Sequence, residues 1–243
     1  MVYSHQWKLR IGAVSGLVMA ALGWVIWKAI ARPTTLGVVT LTGVPALAGA
    51  DEVRTFAVTV DGKAGGSYTI STAVAADGTQ TIQVTAAVKV RAPLHTYVYE
   101  LNSIEVWRTG QLVSLTANSN DDGKKRSVTA VANGRDLTVT VNRNTRKTAS
   151  EVLTATGVQV PAADKVRNAT LFDAEDGSET AVRVEPLGAC RVMLNGQVID
   201  GTRFKLTGKD VDAEWWFDKA GRVLRQEMKW DGHKVVLELT GVK

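Results

Sequence analysis

The chain has 243 residues, with 29 Lys and Arg against 24 Asp and Glu and a formal net charge of +5. Four of the bases, Lys8, Arg10, Lys28 and Arg32, and none of the acids lie in the first 50 residues, so 25 bases face 24 acids from residue 51 onward. A nearly neutral domain lacks the basic surface that phosphate contacts require, which argues against a nucleic-acid partner.

The run from Ile11 to Trp27 carries no charge and is bracketed by Lys8 and Arg10 on one side and Lys28 and Arg32 on the other. At about 1.5 Å per helical residue, the stretch from Trp7 to Trp27 covers about 30 Å, the thickness of a bilayer's hydrocarbon core. It reads as one transmembrane α-helix. Trp7, Trp24 and Trp27 fall near its ends, where indole rings favour the membrane–water interface. Gly12, Gly16 and Ala20 lie four apart on one face and form a small-residue surface for packing against a partner helix. The span contains no histidine, carboxylate or lysine, so neither a proton path nor a directly ligated cofactor is expected there.

Residues 36–50 are apolar, too short to span and broken by Pro45, and they end in Ala48-Gly49-Ala50, which matches a secretory cleavage site. Two readings compete: a long signal, or a retained anchor followed by a membrane-proximal linker. The signal-like layout puts the N-terminus in the cytoplasm, and the expectation is a retained anchor over 1–35, a linker over 36–50 and a periplasmic domain over 51–243 at the inner membrane of a bacterium.

From Asp51 the pattern changes to period-two alternation with β-branched and aromatic residues, punctuated by turns such as Asp61-Gly62 and Asp231-Gly232. Strands are expected at 53–60, 67–71, 80–90, 94–101, 104–108, 112–117, 127–131 and 137–141. They resume at 181–184, 190–194, 197–199, 202–206, 212–217, 222–230 and 234–239. Residues 143–180 receive no assignment beyond room for one strand and one helical turn. The fold class is all-β, a large antiparallel sheet curled into a half-barrel or folded as a sandwich.

Phe56-Ala57-Val58-Thr59-Val60-Asp61-Gly62 with Gly65-Gly66, Glu105-Val106-Trp107-Arg108-Thr109-Gly110-Gln111-Leu112 with Asn118 and Gly123, and Glu214-Trp215-Trp216-Phe217-Asp218 with Gly221-Arg222-Val223-Leu224 together resemble a family of secreted bacterial β-rich domains. The resemblance implies a fold and carries no activity. The closing strand-turn-strand unit is similar to periplasmic lipoprotein carriers, whose half-open barrel shelters acyl chains. The layout of one span plus a periplasmic β domain resembles accessory subunits of bacterial membrane assemblies, photosynthetic reaction-centre and antenna complexes among them.

Chemistry is sparse. His95 and His233 have no partner nearby in sequence. Asn118, Asn120, Asp122 and Gly123 imitate the first half of a calcium loop, but Thr129 stands where a bidentate Glu would close it. Cys190, the one cysteine, reads as a buried structural thiol. No zinc spacing or nucleotide-binding glycine motif occurs. Trp107, Trp215, Phe217 and Trp230 form either a packed core or the lining of an apolar pocket. The expectation is a non-enzymatic accessory subunit without cofactors, partnered by membrane subunits and the bilayer, with a hydrophobic-ligand binder as the alternative.

Gly16→Leu inserts a bulky side chain where two helix backbones are expected to approach. It should lower recovery of partner subunits from detergent extracts while the melting temperature of the β domain stays unchanged, and Leu17→Ile should alter neither. Unchanged recovery would move the attachment to the β domain or to residues 36–50.

Overall fold

A computed structural model describes residues 51–91, 95–158, 165–230 and 232–243. Trp7, Gly12, Gly16, Ala20, Trp24 and Trp27 lie outside the described residues. Among the described residues no helix is long and apolar enough to cross a membrane.

Among the described residues fifteen strands follow one another: β1 (Glu52–Val60), β2 (Lys63–Val74), β3 (Gln80–Arg91), β4 (Thr96–Arg108), β5 (Gln111–Asp121), β6 (Lys124–Asn133), β7 (Asp136–Val141), β8 (Asn144–Ala149), β9 (Leu153–Thr154), β10 (Arg167–Phe172), β11 (Glu179–Leu194), β12 (Gln197–Gly208), β13 (Val211–Asp218), β14 (Val223–Trp230) and β15 (His233–Val242). They make one sheet in the order β8-β7-β6-β5-β4-β3-β2-β1-β15-β14-β13-β12-β11-β10-β9. Every pairing is antiparallel except β9 with β10. Tight hairpins make this meander possible. Asp61-Gly62, Thr109-Gly110, Asp122-Gly123 and Asn195-Gly196 all have positive φ at both residues, the conformation whose twist suits a two-residue turn.

Connectivity forces the sheet to curl. Fifteen strands spaced about 4.8 Å apart would lie roughly 65 Å from edge to edge if flat. Yet β8 and β9, the two edges, are joined by residues 150–152 alone, a link that reaches about 14 Å at most. One curled sheet therefore replaces the sandwich alternative. Side chains close the seam: Arg146 and Thr148 of β8 both hydrogen-bond Glu179, and Arg146 also donates to the Gly177 carbonyl.

Several elements depart from the sequence reading. The expected break between 101 and 104 does not exist, because Asn102 and Ser103 continue the ladder opposite Thr85 and Val84. The strands at 181–184 and 190–194 are one, bent by a bulge between Pro186 and Gly188 that accommodates proline's missing donor. The pair at 197–199 and 202–206 is also one strand, with Asp200 and Gly201 paired to Arg191 and Cys190. The unassigned region contains β8, β9 and β10, and its described residues form no helical turn.

So wide a barrel cannot be filled by one layer of side chains, and the chain fills it with two inward loops. Val152, Leu153, Thr154, Ala155 and Thr156 are buried, as are Phe172, Asp173, Ala174 and Glu175. Gln226 donates to the Ala155 carbonyl at 2.7 Å and Ser119 to the Glu175 carbonyl at 3.4 Å, which ties each loop to the wall. Gly157 (φ +66) and Gly177 (φ +72) are required twice over, since their backbone is left-handed and an added Cβ would sit 2.5 Å from Val223 and 2.7 Å from Val141 respectively.

Close approach is tested most simply at Gly201, where a Cβ would lie 2.0 Å from the Phe217 carbonyl oxygen. Gly201→Ala should cost about 1–3 kcal/mol through overpacking, read as a lower urea midpoint with an unchanged m-value.

Candidate binding surface

The aromatic residues singled out in the sequence belong to the core. Trp107, Trp215 and Phe217 are at most 1% exposed, and Trp230 is partly buried against the same cluster. Phe217 packs edge-on against both Phe204 and Trp215, with centroids 5.7 and 6.2 Å away. None of the four lines the clefts described below. Trp216 points outward as alternation requires, between the guanidinium groups of Arg203 and Arg225 at 5.1 and 5.6 Å.

The tertiary structure supplies partners that lie far off in sequence. His95 Nε2 meets Asp122 at 2.9 Å and His233 Nδ1 meets Asp61 at 2.6 Å, each pairing a histidine with the acid of a hairpin turn. Asp122 is thereby engaged, and Asn120 accepts from the Gly123 N–H at 3.0 Å, so the calcium-like sequence is a hairpin tip. Among the described residues no group of three or more His, Cys, Asp or Glu is placed to hold a metal ion. Cys190 is half-buried in β11, and burial raises its thiol pKa.

The most extended arrangement of unengaged polar side chains lies on the outer face of β2 to β7. Strand register aligns Thr69, Thr85, Asn102, Asn118 and Ser127 into one row across five strands. Asn142 extends it, its Oδ1 accepting from the Ser127 N–H at 3.1 Å. The neighbouring outer row is Ser67, Ala87, Glu100, Asn120 and Lys125. Between them, Tyr68, Ala86, Leu101 and Ser119 turn inward and are buried. The two outer rows floor a cleft of about 760 Å³. Its charges, Glu100, Lys125 and Arg126, belong to the second row and to the inner face, and the first row is uncharged throughout. Among the described residues, the side chains of Thr69, Thr85, Asn102 and Asn118 make no hydrogen bond to another protein group, so their donors and acceptors face outward. A second cleft of about 390 Å³ lies at the barrel mouth by Glu52 and Arg222. Arg54 closes its inner side, donating to Glu52, Asp218 and the Val223 carbonyl at 2.7, 2.9 and 2.8 Å.

Directly inside the wall are two buried acidic clusters. Glu105 Oε2 accepts from Trp107 Nε1 at 2.8 Å and contacts the hydroxyls of Thr154 and Thr156 at 3.0 Å each, while those hydroxyls are 2.6 Å from each other. Burial raises the Glu105 pKa, against the lowering effect of Trp107, Thr154 and Thr156. In the second cluster, Asp173 is pushed well above the carboxylate range by burial and then by Asp176 and Glu175. Glu175 is paired with Arg126, and Tyr97 donates to Asp121 at 3.1 Å. Both clusters clasp the inward loops to β4, β5 and β6, which is a structural role.

With the curled sheet and its outer rows established, comparison with known proteins identifies the fold's family. The domain of unknown function DUF6134 matches residues 56–240. The chain belongs to this family. The crystal structure of a beta-barrel-like protein of domain of unknown function DUF1849 from Brucella abortus superposes with a TM-score of 0.61. It is 11% identical and covers 80% of this chain and 98% of its own, a likeness of fold alone. No curated protein matches. The expected membership of an uncharacterised β-rich family and the curled all-β architecture both hold.

The buried acid gives a pH signature. A carboxyl whose folded pKa lies above its unfolded value contributes stability that is complete below the ordinary glutamate pKa and is lost as pH rises toward the folded value. Around Glu105 the facing groups are Trp107, Thr154, Thr156 and the Tyr68 phenol, and only Glu105 titrates in that window. Glu105→Gln, compared with the parent by urea midpoints from pH 5 to 8, should remove a slope of up to about 1.4 kcal/mol per pH unit. Parallel profiles would mean that Glu105 is ionised throughout.

Proposed function

We propose that the chain is a non-catalytic accessory subunit of a bacterial membrane assembly, held at the inner membrane by the helix expected in residues 1–35, with residues 51–243 in the periplasm as a recognition module. The observation that carries this reading is the division of the two sheet faces. The inner face is occupied by the protein's own loops and by acids clasped to them, while a cleft of about 760 Å³ opens outward with a hydrogen-bonding, uncharged row along its floor. Such a floor has the means to recognise a partner and brings no nucleophile and base together. The apolar span supports membrane attachment. A sheltered acyl chain is the weaker reading, because Trp107, Trp215 and Phe217 are used up in core packing.

Detergent extraction of the full chain, followed by size separation, is expected to bring other membrane subunits with it. Thr85→Arg combined with Asn118→Arg places two cations on the neutral floor and should lower that recovery, and because Thr85 is half-buried in β3 the variant's melting temperature is measured alongside to separate lost binding from lost folding. A chain that migrates alone overturns the proposal.

A further inference from the structure

We infer that the outer trough of β2 to β7 binds a neutral, linear glycan, with successive pyranose rings lying across successive strands. The inference rests on reading the β domain as a recognition module and names the chemistry that it recognises. Three observations lead to it.

The first is charge. Thr69, Thr85, Asn102, Asn118, Ser127 and Asn142 form an uninterrupted cross-strand row without an ionisable group. Of the charges beside the row, Glu100 accepts from Asn120 and Arg126 is paired with Glu175 and Asp121, so a polyanion would gain little there beyond Lys125, whereas an uncharged polyol needs no counter-charge. The second is hydrogen-bonding type. A carboxamide and a hydroxyl each both donate and accept, as does every sugar hydroxyl, so one row can satisfy a ligand whose groups have the same dual character. Among the described residues the side chains of Thr69, Thr85, Asn102 and Asn118 have no hydrogen-bond partner, which leaves them available to a ligand.

The third is spacing. Adjacent strands lie about 4.8 Å apart, and the row from β2 to β7 runs about 24 Å. A pyranose in an extended, equatorially linked chain advances by close to one such step, so each ring can meet the side chain of one strand along the row. An extended peptide advances only about 3.3 Å per residue and falls out of step within a few residues. The short residues Ser67, Ala87 and Thr85 lie together at the β2 and β3 end of the cleft and leave room for a ring beside the amides of Asn102 and Asn118.

The test uses the full chain in a detergent without a sugar head group, so that the micelle offers no competing glycan. Cellohexaose and chitohexaose are titrated by calorimetry, with shorter oligomers as length controls. At least one hexamer should bind, more tightly than its trimer, and Asn102→Leu and Asn118→Leu should each weaken it by roughly tenfold, the loss of about one good hydrogen bond. Thermal melting of each variant separates lost binding from lost folding. Trp216→Ala, on the outer face but away from the trough, should leave binding intact. Absence of binding by both hexamers overturns the inference, as does binding that Trp216→Ala abolishes and the two asparagine variants leave unchanged. If neither hexamer binds while Thr85→Arg with Asn118→Arg still releases membrane subunits, the recognition module stands and its ligand is not a glycan.

Discussion

The short link between the two edge strands governs this molecule. Three residues, 150–152, connect β8 to β9 across what would otherwise be the full width of a fifteen-stranded sheet. Curling follows from that covalent limit, with the seam held by Arg146, Thr148 and Glu179 rather than by a backbone ladder. Curling also protects most of the sheet from edge-to-edge association, since β8 carries Arg146 and Lys147 on its exposed edge.

A barrel this wide has an interior too large for one layer of side chains, and the inward loops resolve it at an electrostatic cost. Backbone carbonyls and carboxyl groups carried inside must find partners. Gln226, Ser119 and Arg126 provide them for the loops, while Glu105 accepts from Trp107 and two threonines. Tyr68, Ser103 and Glu105 each keep one buried polar atom without a protein partner among the described residues, so the interior tolerates polarity without being fully saturated. This is the arrangement of a scaffold whose inside is committed to holding its own chain.

The outside is chemically less constrained. Outward positions on a sheet are free to vary chemically as long as they keep the strand extended, and on β2 to β7 they are hydroxyls and amides placed side by side. Elsewhere on the outer surface Trp216 is enclosed by two arginines, each engaged in turn with an acid, Arg203 with Glu214 and Arg225 with Glu238. The two regions therefore present different chemistry on one continuous sheet.

Local signals sufficed for much of the fold. Alternation marked nearly every strand, Asp61-Gly62 announced its hairpin, and the neighbours of Trp216 were placed correctly on the opposite face, because side-chain direction in a strand depends only on a period of two. Local signals failed where the ladder overrode them. Asn102 and Ser103 read as a break, yet they are held extended by β3 and β5, with Asn102 on the cleft floor and Ser103 buried inside. Asn118 and Asn120 imitated a metal loop for the same reason. Turn-forming amides inside a strand pattern were the one available sign of this polar row. The sequence by itself determined period, turn chemistry and apolar content, because those act over a few residues. Only the tertiary structure decided that the sheet closes on itself, that Glu105 meets Thr154 and Thr156, and that Thr69, Thr85, Asn102, Asn118, Ser127 and Asn142 form one row, because register between strands depends on contacts that no short stretch of chain contains.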